Sequence, residues 1–555
     1  MTELLIGPLL RHVGEHDATI WVETSAACEV EVRTTAVAAR TRTFAVAGHH
    51  YAMVILADLP AATAITYEVR VDGELAWPIP GSTFPPSRIR TLDVDRPIKL
   101  LFGSCREAPL DKRTEGTHVD VLEAYAARMQ TQHSDLWPDL LAFVGDQIYA
   151  DDTTPAMRKF IRSRRDIRKP PKTEVADFEE YTHLYLESWT APKVRWLLST
   201  LPTSMIFDDH DVRDDWNTSQ AWRDDMARTP WWDARITGAM MSYWIYQHLG
   251  NLSPALLEAD PTYRAIRAAY DGAEILREFM RGADRETNGR KGTMWSYRRD
   301  FGPVRLLVVD SRCGRILADG ARSMISNAEF EWVEAQAADG QVQHLVVVTS
   351  MPWLLPRALH DVESWDEALC AGSRGSVIAR GAEWVRRAVD LEHWAAFRKS
   401  FDRLAALFED VGSGRDGEPA PSTICVLSGD VHHSYVAEAD YPIPLAARVF
   451  QITCSPIENS IPLPMQIVFR FGWSKHFARF LQRIGRFIRV PPLPIQWHHP
   501  IGPLFGNMLS LLTFDGGNAH VQFEGSKPPN QRDAGEPVSL EVIGEVNLTE
   551  PRVTP

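Results

Sequence analysis

From Ile98 onward the chain repeats one pattern. Apolar runs of strand length (IKLLFG, LLAFVG, TSMIF, VRLLVVD, HLVVVTS and TICVLSG) alternate with helix-like stretches at 117–132, 177–200 and 326–338. Strands that are apolar throughout are covered on both faces, and their alternation with helices is the signature of layered sheets. The expected fold class is α/β, with sheets flanked by helices.

The first 93 residues have a different texture. ATIWVET, EVEVRT, RTFAVA, YAMVILADL and ITYEVRVDG follow one another with turn residues between them. That spacing predicts a small all-β sandwich of immunoglobulin or fibronectin type over 1–93. The stretch with Pro78, Pro80, Pro85 and Pro86 reads as a linker, and 98–555 as the main domain. Within it, 217–295 carries Trp222, Trp231, Trp232 and Trp244 and reads as a helical insertion shaping the rim of the site.

The net charge of −14 opposes non-specific nucleic-acid binding. Two basic islands depart from that average. Residues 158–172 hold eight Lys or Arg against Asp166, which reads as a solvated helix face or an attractor for anionic substrates. Residues 459–514 contain no acid. In 470–489, Trp473, Phe477, Phe480, Leu481, Ile484 and Ile488 share one helical face, opposite Lys475, Arg479, Arg483 and Arg486. Docking near the mouth of the site is the expectation, and peripheral membrane contact is the alternative.

The six cysteines are far apart and read as reduced, buried thiols. The N-terminus lacks a basic signal region, and no apolar run reaches spanning length. A cytoplasmic monomer is expected.

The chemistry sits at strand ends. LLFG leads to Ser104-Cys105-Arg106, LAFVG to Asp146-Gln147-Ile148-Tyr149, MIF to Asp208-Asp209-His210-Asp211, and CVLSG to Asp430-Val431-His432-His433. Polar groups at the ends of adjacent buried strands converge on one crevice. Carboxylates, imidazoles and a thiol gathered there need a cation to offset repulsion and desolvation.

FVGDQIYAD, IFDDHDVRDDW and LSGDVHHSY resemble the alkaline phosphatase D (PhoD-like) family of calcineurin-type metallophosphoesterases, and GSCRE resembles the motif opening its catalytic domain. Purple acid phosphatases are similar more distantly. The resemblance implies two or more metal positions bridged by Asp146. Cys105, Tyr149 and His432 would complete a site suited to Fe3+, and Asp209 and Asp430 an oxygen-only site suited to Ca2+. Where purple acid phosphatases place a histidine before a Met/Val-Pro-Trp segment, this chain has Thr349-Ser350. The implied activity is hydrolysis of phosphomonoesters or phosphodiesters by metal-activated hydroxide. His210 would serve as general acid, and Arg106 as phosphate partner or structural counter-charge. His433, Asp211, Asp214 and Asp215 are expected outside the ligand set. Two alternatives stand beside this reading: a diesterase for phospholipid-derived esters at a membrane surface, and a non-catalytic scaffold on the same fold. The scaffold is disfavoured because none of the six implied ligands is missing.

Overall fold

The computed structural model describes residues 2–108, 119–287, 289–318, 320–414, 419–459, 490–526 and 538–550, with 466, 469, 470, 472 and 473. Most of the 470–489 segment, from 474 onward, therefore lies outside the described residues.

Two mixed sheets form the centre of the larger region. One runs Thr203–Ile206, Leu140–Val144, Ile98–Gly103, Met508–Asp515, Asn518–Ser526, Leu540–Asn547. The other runs Tyr297–Phe301, Val304–Val309, His344–Thr349, Thr423–Ser428, Arg448–Thr453, Ser434–Asp440, Gln496–Leu504. The strands read as apolar runs are the parallel ones, pairing Ile98–Gly103 with Leu140–Val144 and Val304–Val309 through to Arg448–Thr453. Every residue of Leu140–Val144, Val304–Val309, His344–Thr349 and Thr423–Ser428 is buried, as coverage on both faces requires. The later strands return antiparallel at the sheet edges, so both ends of the main region contribute to one architecture.

Residues 4–90 form a four-stranded and a five-stranded antiparallel sheet, the second counting Arg88–Arg90 on Ala64–Val71. Their apolar residues share one continuous core with the first central sheet. The Pro-rich stretch is not a free tether. Trp196 Nε1 donates to the Pro85 carbonyl at 2.7 Å, Phe84 stacks on Trp196, and Ser87 bonds Ser199 at 2.6 Å.

The 217–295 region is mainly helical, with α-helices at Gln220–Ala227, Trp232–Ser242, Pro254–Ala259, Pro261–Ala268 and Ala273–Ala283. Its tryptophans face inward: Trp222, Trp232 and Trp244 are buried, as is Trp216 just before them. Tyr246 packs against Trp21 and bonds Glu23, and the fully buried Arg11 donates to the carbonyls of Tyr246 and Gln247. The insertion thus clamps the N-terminal strands through Tyr246, while Trp222, Trp231 and Trp232 pack on one another.

Candidate active site

Glycines let the motif-bearing strand ends approach. A Cβ at Gly429 would lie 2.0 Å from Ser104 Oγ and 3.1 Å from the Val144 carbonyl oxygen. At Gly145, φ is +115° and a Cβ would lie 2.8 Å from the Asp208 Cβ. Main-chain bonds then fix the crossing: Arg106 N–H donates to the Asp146 carbonyl at 3.0 Å, Ala150 N–H to His210 at 2.9 Å, and Gly429 N–H to Ser350 at 2.9 Å.

The residues delivered there adopt a costly backbone. Cys105, Asp146, Asp430 and His432 have φ of 56°, 50°, 67° and 49°. Left-handed geometry in a non-glycine residue costs ~1–3 kcal/mol and clusters at functional sites. Four such residues, one from each of two motifs and two from a third, re-aim side chains into a shared space.

Cys105 Sγ lies 3.3 Å from Asp146 Oδ2 and accepts from Ser455 Oγ at 3.1 Å. Ligand atoms of Asp146, Asp209 and His210 lie within 4.8 Å of one another, as do those of Asp208, Asp209 and Asp430. Tyr149 is buried and stacks on His210 at 4.4 Å between ring centroids. Burial pushes the Cys105 thiol up to about 12. Burial, then the neighbouring Cys105 and Asp208, raises the Asp146 carboxyl well above its ordinary value. Burial takes the His432 imidazole down to about 4, with His210 adding to the effect, so it is neutral and its lone pair is free for a metal.

The donor set fits metal ions. Asp146 Oδ1 is buried without a hydrogen-bond partner among the described residues, beside further acids that destabilise its charge. A cation reverses that penalty, and a thiol, phenol, imidazole and carboxylates form a mixed hard and soft set.

His210 Nδ1 lies 3.0 Å from both oxygens of Asp151, whose proximity overcomes burial and holds the imidazole charged well above its ordinary range. Arg106 is engaged by protein groups. Its Nε and Nη2 donate to Asp120 at 3.0 and 2.8 Å, and its Nη1 donates to the Ser188 carbonyl and hydroxyl at 3.0 Å each. Asp120 and Ser188 thus engage all three guanidinium nitrogens, as in the counter-charge role of the two expected for it. His433 is buried, with Nδ1 donating to the Val431 carbonyl at 2.7 Å, and Asp211 accepts from the Asp208 N–H and from Gln247. In the 158–172 run, Arg164 and Arg165 are tied to Asp177 and Glu180, which leaves the island less cationic than its composition.

Three residues were missed. Arg312 is fully buried, bonded through Nε to Asp208, with Nη2 3.3 Å from Asp209 and 3.7 Å from Asp430 and Nη1 2.7 Å from Glu392. The sequence held its signal, because Asp310-Ser311-Arg312 directly follows the apolar strand VRLLVV. His393 bridges Glu363 at 2.7 Å and Asp430 at 2.8 Å, and Glu392 carries Arg312 and Arg315. Both sit in a connection between helices, where nothing in the local sequence marks them.

Layered mixed sheets carrying clustered acids and an imidazole at their strand ends, together with the family match that follows, place the chain among the metal-dependent phosphoesterases. The PhoD-like phosphatase family model matches residues 104–464, and the chain belongs to that family. A family model described as a domain of unknown function (DUF7800) matches residues 1–89. The solved structure of PhoD aligns with a TM-score of 0.58 at 10% identity, covering 98% of this chain and 90% of that one. At that identity the likeness concerns the fold. The purple acid phosphatase PPD1 from yellow lupin (Lupinus luteus) seeds aligns with a TM-score of 0.48 at 10% identity, over 97% of this chain and 73% of that one. No curated protein matches the chain.

Proposed function

We propose that the chain hydrolyses phosphomonoesters or phosphodiesters of small molecules at a centre where Cys105, Asp146, Tyr149 and His432 hold one metal ion and Asp209 and Asp430 hold another. The observation that carries this reading is the unpartnered, buried Asp146 Oδ1 between the Cys105 and Asp209–His210 motifs. A bound metal ion lowers the pKa of its water and offsets phosphoryl charge. Fe3+ suits the thiolate- and phenolate-bearing position, and Ca2+ the carboxylate position. His210, charged and oriented by Asp151, holds the proton that the leaving alkoxide needs. Arg312 fixes Asp208 and Asp209 and removes part of the repulsion among the carboxylates. His393 orients Asp430 by bonding its Oδ2 at 2.8 Å, while Arg312 Nη2 lies 3.7 Å from its Oδ1.

Residues 1–93 are read as an immunoglobulin- or fibronectin-like sandwich, and 98–555 as the metallophosphoesterase domain. Among the described residues no helix is long and apolar enough to cross a membrane. A cytoplasmic monomer is part of the same proposal.

Paired assays on a 4-nitrophenyl monoester and the corresponding bis-aryl diester, with and without chelator, test the function. Chelator-sensitive turnover of one or both supports it. Absence of turnover on both after supplying iron and calcium contradicts it.

A further inference from the structure

The helix Ser376–Ala388 (SVIARGAEWVRRA) is amphipathic in an inverted sense. At ~100° per residue, Trp384, Val377, Gly381, Val385 and Ile378 occupy one arc, while Ala382 and Arg386 occupy the other. In a helix docked on a core the apolar arc faces inward. Here Ala382 and Arg386 are buried, with the Arg386 guanidinium 3.4 Å from Asp366 and 3.2 Å from Glu383. Val377 and Trp384 are each 72% exposed, and Ile378, Val385 and Val389 are exposed with them. A Cβ at Gly381 would meet nothing within 4 Å. Removing apolar side chains from water is favourable in proportion to the area covered, so this face has a drive to be covered.

Size and charge select the occupant. Thirteen residues present a strip about 20 Å long and about 10 Å wide, on the order of 200 Å². A stable protein pair needs ~800 Å² per partner, so a second copy seated on this strip alone is too small a contact. A lipid interface has no such threshold, because one helix face is its ordinary unit of binding. The exposed arc carries no acid, and Arg380 flanks it, with Arg374 just before the helix; Arg387 on the same side is held by Asp225. A tryptophan with a basic flank suits the headgroup layer of an anionic bilayer. The net charge of −14 does not cancel this, since exposed charges beyond ~8–10 Å are screened at physiological ionic strength.

We propose that this helix seats its Trp384–Val377–Val385 face in the interface of an anionic lipid bilayer. The chain leads from the seat to the candidate active site. Arg387 pairs with Asp225 at 2.9 Å, and within six residues beyond it the chain reaches Glu392 on Arg312 and His393 on Asp430. The substrate class this favours, phosphate esters displayed at a lipid surface, rests on the phosphoesterase reading; the seat itself does not.

Vesicle flotation of the full chain tests it independently of catalysis. Wild-type protein should float with mixed phosphatidylglycerol–phosphatidylcholine vesicles and remain behind with phosphatidylcholine alone. The double variant Val377→Glu/Trp384→Glu should reduce the bound fraction at least about tenfold, with its melting temperature and soluble aryl-ester turnover unchanged. Arg380→Gln should weaken binding in the same direction. Three results overturn the proposal. One is wild-type protein that does not float with anionic vesicles. Another is flotation that survives Val377→Glu/Trp384→Glu, including the case where only Arg479→Gln/Arg483→Gln/Arg486→Gln abolishes it. The third is sedimentation of the wild type as a dimer that Val377→Glu/Trp384→Glu converts to monomer.

Discussion

His210 and Asp151 form an ion pair, with Nδ1 of the imidazole 3.0 Å from each carboxylate oxygen. Loss of the proton donor should matter most where the leaving group is poor. His210→Ala should slow alkyl esters by ~10²–10⁴ while costing much less on esters of acidic phenols, with metal content normal. Burial lowers the His210 pKa and Asp151 raises it past its ordinary value. Asp151→Asn should therefore move the alkaline limb of the pH–rate profile to lower pH. An equal loss on both ester types in His210→Ala removes it as the acid.

Gly429 and Ser104 set how closely the two sheets' loops meet. Gly429→Ala places a Cβ 2.0 Å from Ser104 Oγ, with the Val144 carbonyl oxygen at 3.1 Å behind it. Overpacking of this kind costs ~1–3 kcal/mol, and here the displaced chain carries Cys105 and Asp430. Activity should fall more than stability. Ser104→Gly in the same chain removes the nearest clash and should restore part of the activity, as paired melting and rate measurements will read.

Arg312 is expected to be the most costly buried charge to remove. Arg312→Met leaves Asp208 without its guanidinium and Glu392 with Arg315 alone, and breaking a buried pair costs ~3–5 kcal/mol. Chemical denaturation should register a loss of that size. A change below ~1 kcal/mol would mean that the carboxylates find other partners.

The N-terminal strands should separate in stability from the rest at alkaline pH. His49 bonds Glu23 of its own region and Glu179 of the Phe178–Trp189 helix, each at 2.9 Å. Burial lowers its pKa, and the two carboxylates overcome this to raise it from 6.5 to about 9. The folded state thus binds the proton more tightly than the unfolded chain. The resulting stabilisation is complete below about pH 6.5 and is lost as pH rises through about 9. The melting temperature of wild type should exceed that of His49→Gln at neutral pH, and the gap should close above about pH 9. A gap independent of pH would contradict the ion-pair account.

How far the sequence foretold the molecule depended on where each residue stands. The parallel strands were legible because burial on both faces leaves a continuous apolar run, as in VRLLVV and HLVVVT. The four motifs were legible because each follows such a strand. His393 was not, since its partner Asp430 is 37 residues away and only the fold joins them. Arg106 was readable as an arginine beside acids but not as the partner of Asp120, which depends on where the Val121–Thr131 helix begins. The insertion's tryptophans were visible as composition, yet composition does not say which way a ring points, and Trp222, Trp232 and Trp244 point into the core.

The central claim, a metal centre built on Asp146, is tested most directly by elemental analysis of purified wild-type protein beside Asp146→Asn, Cys105→Ala and Tyr149→Phe. The account predicts iron with calcium in the wild type, near-complete loss of metal in Asp146→Asn, and lowered iron in Cys105→Ala. It also predicts a visible charge-transfer colour that disappears in Tyr149→Phe. Wild-type protein that is colourless, metal-free and fully active on aryl phosphate esters would contradict it.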